Sequence, residues 1–450
     1  MNIADRNKGI DTLAPARWLQ DFGAALARSD SAAAAGLFLP DGHWRDLVAF
    51  TWHLKTFTGI SQIEAALRET LTAARATAFQ LNPDRAPPRH VRRAGVDAIE
   101  AFFSFETATG RCSGVVRLVP DAGAAGQLRA WTLLTALEEL KGFEEHVGDR
   151  RPKGESYSRN FGGDNWHDYR VKARAYADRD PAVLVVGGGQ AGLAIAARLG
   201  QLEVDTLIVD RMQRVGDNWR KRYHSLTLHN EVHVNHLPYL PFPPIWPVFV
   251  PKDKLANWLE AYVESMELNF WTETEFLGGT YDAAAQCWSV RLRRADGIER
   301  TMRPRHVVLA TSVSGIPSIP SLPGLEDFSG RIMHSSVFTE GSAWTGRNAL
   351  VLGTGNSGHD VAQDLHSHGA HTTIIQRSPT TIVSIEPSAQ KVYALYSEGL
   401  STDDCDLLAA SIPYPVLVRA YQLGTLDMEE LDKDLLDKLR AVGFQDGLRT

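Results

Sequence analysis

One glycine pattern occurs twice in this chain, and each time it is framed by the same kinds of residue. Gly187, Gly189 and Gly192 spell GxGxxG after the apolar run Ala182–Val186, and an Ala- and Leu-rich stretch follows. Gly353, Gly355 and Gly358 repeat the spacing after ALVL at 349–352. An apolar run of this length, bounded by glycine, reads as a buried parallel strand. The first glycine permits a tight turn, the second lets a phosphate approach the backbone, and the third lets helix and strand pack closely. The helix that follows presents unpaired N–H groups and a partial positive charge. The candidate phosphate cradles are therefore Gly187, Gly189, Gln190, Ala191 and Gly192, and Gly353, Gly355, Asn356, Ser357 and Gly358. Such a chain should contain two Rossmann-type α/β units, each taking a dinucleotide.

The second strand of each unit ends differently. Thr206–Val209 leads to Asp210 and Arg211, with Asp210 lying 23 positions beyond Gly187. Thr372–Ile375 leads through Gln376 to Arg377, 24 positions beyond Gly353. A carboxylate at this place accepts hydrogen bonds from ribose hydroxyls and repels a 2′-phosphate, whereas an arginine pairs with one. FAD is thus expected at the first site and NADPH at the second. Together they imply hydride transfer from nicotinamide to flavin.

Other classes are disfavoured. The net charge is −7 over 450 residues, which gives no basic surface for nucleic acid. No apolar run approaches the roughly 18–20 residues of a membrane span, and MNIADRNKGIDTLAP has no secretory apolar core. A cytoplasmic protein is expected. Cys112, Cys287 and Cys405 form no Cys-x-x-Cys, and no histidine pair has metal-ligand spacing, so reduced thiols and no metal are expected.

The chain divides into four stretches. Residues 1–142 read as an α+β domain: a helix near Pro15 with Trp18, Phe22 and Leu26, strand-like residues 42–59, a helix from Ser61 to about Ala76, then three strand runs. Helices followed by a curling antiparallel sheet resemble an NTF2-like (SnoaL-like) cone, whose pocket could be lined by His43, Asp46 and His53. Residues 143–180 are polar and charged and read as a linker. Residues 181–345 form the expected FAD domain, and 346–450 the NADP domain with a helical extension.

Between the glycine motifs lies DFSGRIMHSS, in which Phe328, Gly330 and His334 form FxGxxxH. With this order of motifs the chain resembles class B flavin-dependent monooxygenases. Phe338 stands four residues after His334, where the Baeyer–Villiger branch usually has Trp, which resembles the heteroatom-oxidising and YUCCA-type branch. Gly216, Asn218 and Trp219 resemble the G-x-x-W element beside FAD, and residues 225–260 resemble the YUCCA-type LxLH and LPxxPFP stretch. The resemblance implies that His229 and Asn230 face the flavin ring and that His334 couples movement of the NADP domain to the flavin. These are the candidates nearest the reaction, and none is assigned as a general acid or base. It also implies Thr311 beside the cofactor, and insertion of one O₂ atom into a small organic substrate through a flavin C4a-(hydro)peroxide. N- or S-oxidation and α-keto acid oxidation both fit, and a homodimer is left open.

Two departures from the family stand out. Ala310-Thr311-Ser312 replaces the usual Ala-Thr-Gly, and no second motif of that type follows Arg377. The second departure predicts an FAD domain lacking its C-terminal return, an exposed sheet edge and weak FAD retention. A flavoprotein reductase without oxygen insertion, or an inactive truncated relic that binds a ligand or partner, are the competing readings.

Overall fold

The computed structural model describes residues 13–124, 126–154 and 157–444. Contacts divide them into two units. The first unit runs through Glu144 and includes Val383–Leu439; the second is Glu145–Ile382 with a short return from Arg440.

In the first unit, strands β1 (Phe38–Leu47), β2 (Leu54–Thr58), β3 (Thr77–Leu81), β4 (Arg89–Arg93), β5 (Val96–Glu106), β6 (Gly110–Pro120) and β7 (Leu128–Leu140) form one sheet. Its order is β2-β1-β7-β6-β5-β3, with β4 also on β5. The expected sheet was antiparallel, but β1 runs parallel to β7, because the helix Ile60–Ala74 and the five intervening strands β2–β6 return the chain beside its start. Alternation along β6 explains how the sheet is covered. Cys112, Val116 and Leu118 face the helices Ala14–Ala27 and Ile60–Ala74, where Trp18, Phe22, Ile63 and Leu67 complete a core. Val115 points to the opposite face with Phe102 and Leu134, and Leu407 and Leu408 of the helix Thr402–Ala410 cover them.

Val383–Leu439 therefore belongs with the first unit's sheet, whereas the sequence reading placed it in the NADP domain. Apolar helix positions show that a face is buried but not which sheet buries it. Buried charge reinforces this cover. Glu100 on β5 accepts from Arg89 (2.7 Å) and Arg93 (3.0 Å) on Oε1 and from Arg117 Nε (2.8 Å) on Oε2, and Arg93 also pairs with Glu398 at 2.5 Å. Burial alone would raise the Glu100 pKa, but the guanidinium of Arg117, followed by Arg93 and Arg89, brings it down to about 2. Arg117, wholly enclosed, is pushed down by burial; a guanidinium nevertheless keeps its proton.

His43, Asp46 and His53 do not converge on a pocket. Asp46 is buried and accepts from Phe50 N–H, Thr51 N–H, Thr51 Oγ1 and Thr135 Oγ1, which ties the 48–53 turn to β7. His43 pairs with Thr58, and His53 lies exposed.

In the second unit β8 (Val183–Val186), β9 (Thr206–Val209), β12 (Asn269–Trp271) and β16 (His306–Leu309) form a parallel sheet ordered β12-β9-β8-β16. Strands β10 (Thr227–Glu231) and β11 (Phe249–Pro251) form a ribbon, and β13 (Glu275–Asp282), β14 (Cys287–Arg293) and β15 (Glu299–Met302) a meander. β16 lies at one end of this sheet, with Leu309 67% exposed. The second glycine motif follows β17 (Asn348–Leu352), which pairs in parallel with β18 (His371–Ile375). Its sheet has two strands among the described residues. Ala349 and Val351 face the helix Asn356–Ser367, while Leu350, Leu352 and Ile375 on the opposite face stay open to solvent.

The supposed linker is partly ordered. Trp166–Ala175 is a helix that begins with a capping box, in which the Asn165 side chain accepts from Asp168 N–H and Asp168 accepts in return. Beyond it Tyr176 is fully buried and donates to Asp205 at 2.7 Å, and Trp271 Nε1 donates to Arg174 O at 2.7 Å. The segment thereby packs under the parallel sheet.

Candidate functional site: two glycine loops

At the first loop the backbone needs glycine for three separate reasons. Gly187 has φ +108°, in the region that L side chains avoid, and a Cβ there would lie 2.5 Å from Ala310 O. A Cβ on Gly188 would meet the Phe270 ring at 2.2 Å, and one on Gly192 would lie 2.0 Å from Gly187 O. The third of these contacts is the close helix–strand approach that GxGxxG makes possible. Gly189 caps the helix Gln190–Gln201 in extended conformation, and Gln190 and Ala191 open it on the exposed side.

Asp210, at the end of β9, turns its carboxylate back to this loop. Oδ2 accepts from Gly188 N–H at 2.6 Å and Oδ1 from Met212 N–H at 2.8 Å. Gly188, Asp210, Met212, Val215, Gly216 and Asn218 line a narrow crevice. Gly216 has φ +83°, and a Cβ there would lie 2.4 Å from Ala256 O, so the turn into the short helix Asp217–Arg220 is pressed against its neighbour. On that helix Trp219 Nε1 is buried without a hydrogen-bond partner. A buried donor left in this way calls for a ligand or water to accept from it. The polar groups match the phosphates, hydroxyls and ring edges of a dinucleotide: the N–H donors of a helix N-terminus, a strand-end carboxylate that accepts, and an orphaned indole N–H. Arg211 donates to Gly315 O at 2.8 Å, which holds the loop after β16 across the strand ends.

In that loop a serine stands where the sequence resemblance predicts glycine. Ser312 has φ +65°, so a side chain occupies a left-handed position. Thr311 beside it is exposed.

The second loop repeats the geometry. Gly353 has φ +107°, a Cβ on Gly358 would lie 2.4 Å from Gly353 O, and a Cβ on Gly355 would enter open space. Gly355 caps the helix Asn356–Ser367 as Gly189 caps its counterpart, which places Asn356 and Ser357 in its first turn. Thr354 and Thr380 share a hydrogen bond at 2.6 Å across the loop mouth. Arg377 lies exposed just past β18.

The remaining candidates are engaged locally. His334 Nδ1 accepts from Ser336 N–H at 3.1 Å and lies 2.9 Å from Ser336 Oγ, which caps the turn Ser335–Val337. Asn230 Nδ2 donates to Asn235 Oδ1 at 3.0 Å, and His229 lies exposed on β10. Phe338 is buried and packs with Tyr223, Val361 and Leu365 against the second helix. Tyr223 was not singled out in the sequence; its signal was an aromatic residue four positions beyond Trp219. No group of three or more His, Cys, Asp or Glu residues among the described ones could hold a metal, and no helix among them is long and apolar enough to cross a membrane.

Residues 184–398, which hold both strand–glycine–helix loops, match the family described as pyridine nucleotide-disulphide oxidoreductase. Over part of its length the chain is also similar to curated indole-3-pyruvate monooxygenases. It is 35% identical over 209 residues to indole-3-pyruvate monooxygenase YUCCA1 of Oryza sativa subsp. japonica, covering 46% of this chain and 50% of that protein. It is 33% identical over 209 residues to the probable indole-3-pyruvate monooxygenase YUCCA10 of Arabidopsis thaliana, covering 46% and 55%. The chain thus spans about half the length of these curated relatives. A solved flavin-containing monooxygenase from Stenotrophomonas maltophilia shares 22% identity at a TM-score of 0.42, over 52% of this chain and 67% of that one, a likeness too loose to add to the case.

Proposed function

We propose that the chain is an FAD- and NADPH-dependent monooxygenase that places one atom of O₂ on a small organic substrate. The observation that carries this reading is the pair of glycine loops with opposite charges at their strand ends, Asp210 at one and Arg377 at the other. The identity to indole-3-pyruvate monooxygenases supports oxygen insertion and makes an α-keto acid the first substrate to try. When bound, the flavin supplies the redox chemistry, taking hydride from the nicotinamide and activating oxygen.

The protein's own residues bind and orient. The helix N-termini at Gly189 and Gly355 hold two pyrophosphates. Asp210 takes the adenosine ribose of the FAD while it fixes the Gly188 amide. Asn218 and Trp219 lie along the same cofactor, with the indole N–H donating to it. Arg377 meets the 2′-phosphate of NADPH. His229, Asn230 and Thr311 line the flavin edge, and His334 holds the turn that leads to Phe338. The first unit, with the helices Ala14–Ala27 and Ile60–Ala74 against a sheet in which β1 and β7 run parallel, is read as an NTF2-like domain. The protein is read as cytoplasmic, with no nucleic-acid partner.

The test is to purify the chain with FAD, supply NADPH and indole-3-pyruvate, and compare oxygenated product with released peroxide. NADPH-dependent oxygenation is expected. Peroxide in full yield without product would establish the reductase reading instead, and a chain that cannot be loaded with flavin would establish the inactive relic.

A further inference from the structure

The segment that lines the first site is fastened to the helix of the second site by one buried side chain. Tyr223 is 3% exposed and lies four residues beyond Trp219. Its hydroxyl donates to Asp360 Oδ2 at 2.5 Å, and its ring packs with Phe338, Val361, Leu365 and Ala370. Asp360 is the fifth residue of the helix Asn356–Ser367, whose first turn presents the second glycine loop. Beside it, His224 N–H donates to Thr339 O at 2.8 Å, so two consecutive residues bind the first-site segment to the second-site part of the unit.

The electrostatics give this bond a further purpose. A helix N-terminus attracts phosphate, and a carboxylate within the second turn works against that attraction. A phenol donating to the carboxylate draws its charge toward the protein and fixes its direction. Burial, and then Asp360 itself, push the Tyr223 hydroxyl well above the ordinary tyrosine range, so it stays a donor at any working pH. Three buried polar atoms without a partner lie on the two joined segments, namely Trp219 Nε1, Arg222 Nε and His359 Nε2. Each of these atoms has hydrogen-bonding capacity to spare on a segment that borders or carries one of the two loops.

We propose that Tyr223 is a positioning residue. Its bond to Asp360 sets the second glycine loop relative to the first, so that the nucleotide held at Gly353–Gly358 reaches the one held at Gly187–Gly192. This rests on the reading of two nucleotide sites given above. It requires that loss of the hydroxyl affect the second ligand and the transfer between sites, and leave the first ligand in place.

The experiment uses the full chain loaded with FAD, as wild type, Tyr223→Phe, Asp360→Asn and the double variant. Flavin content is read by visible absorbance, NADP⁺ binding by calorimetric titration, and flavin reduction by NADPH in anaerobic stopped flow. Tyr223→Phe removes one oxygen atom and leaves the packed ring, and Asp360→Asn keeps the side-chain shape, so both variants should fold. The expected result is unchanged flavin content, with NADP⁺ affinity or the reduction rate lowered about tenfold, the loss of one hydrogen bond to a charged group. The double variant should be no worse than the poorer single one, as the two groups act through one bond. Wild-type-like NADP⁺ binding and reduction in both single variants would overturn the inference alone. A wild-type chain that holds FAD but shows no NADP⁺ binding would overturn the second-site reading and the inference with it.

Discussion

The Asp210 carboxylate and the Gly188 amide are joined by a 2.6 Å hydrogen bond, so the end of one strand closes the glycine turn that follows its neighbour. Under the proposed function a ribose addresses the same oxygens, and Asp210 then serves as both structural brace and ligand contact. Asp210→Ala should therefore lower flavin retention and also cost the protein about 1.5–3 kcal/mol, typical for loss of a hydrogen bond to a charged group. Denaturant titration of the FAD-free protein separates the two effects: unchanged stability would show that the brace contributes nothing.

Gly192→Ala should be severe. The added Cβ would lie 2.0 Å from the Gly187 carbonyl oxygen, and both partners are backbone that cannot swing aside. A loss of about 1–3 kcal/mol or more is expected, together with loss of bound flavin. Thermal unfolding and visible absorbance check it, with Gly200→Ala as the control, since a Cβ there meets nothing.

Ser312→Gly should have the opposite sign. Ser312 holds φ +65°, where a side chain costs about 1–2 kcal/mol. Part of that gain is offset by the greater freedom of glycine in the unfolded chain, leaving about 0.5–1 kcal/mol of stabilisation. A lower midpoint in chemical denaturation than wild type would show that the serine side chain is needed where it stands.

Arg377→Ala should lower the preference for NADPH over NADH by about tenfold or more, through the NADPH arm alone. Steady-state constants with both nucleotides decide this, and an unchanged ratio would remove Arg377 from recognition of the phosphate.

The first unit should be sensitive to acid through Glu100. Its pKa falls from 4.5 to about 2 on folding, so its contribution is fully present above 4.5 and is lost as pH falls through about 2. Glu100→Gln should flatten that dependence and cost about 3–5 kcal/mol at neutral pH, because Arg117 is left buried without its counter-charge. Urea unfolding at a series of pH values measures both.

The parts legible in the sequence were those set by local backbone chemistry. Both glycine loops, their strands and the helices that follow lie where the spacing puts them, and Thr206–Val209 matches to the residue. What escaped was fixed by distant partners. β4, Arg89–Arg93, carries three arginines, and two of them, Arg89 and Arg93, make sense only once Glu100 and Glu398 lie across from them. The helix Trp166–Ala175 has no fully buried residue of its own, though its capping box was a readable start signal. The role of Tyr223 depends on Asp360, 137 residues away, which no local pattern reveals.

The first unit is interrupted by the second: its sheet ends before Glu145, yet the helix carrying Leu407 and Leu408 follows Ile382. During synthesis the outer side of that sheet, with Phe102, Val115 and Leu134, must wait while Glu145–Ile382 is translated. At roughly 5–20 residues per second this delay is on the order of 10–50 s. A nascent chain of this design would carry a bare greasy sheet through much of its birth, and holdase chaperones should find it there.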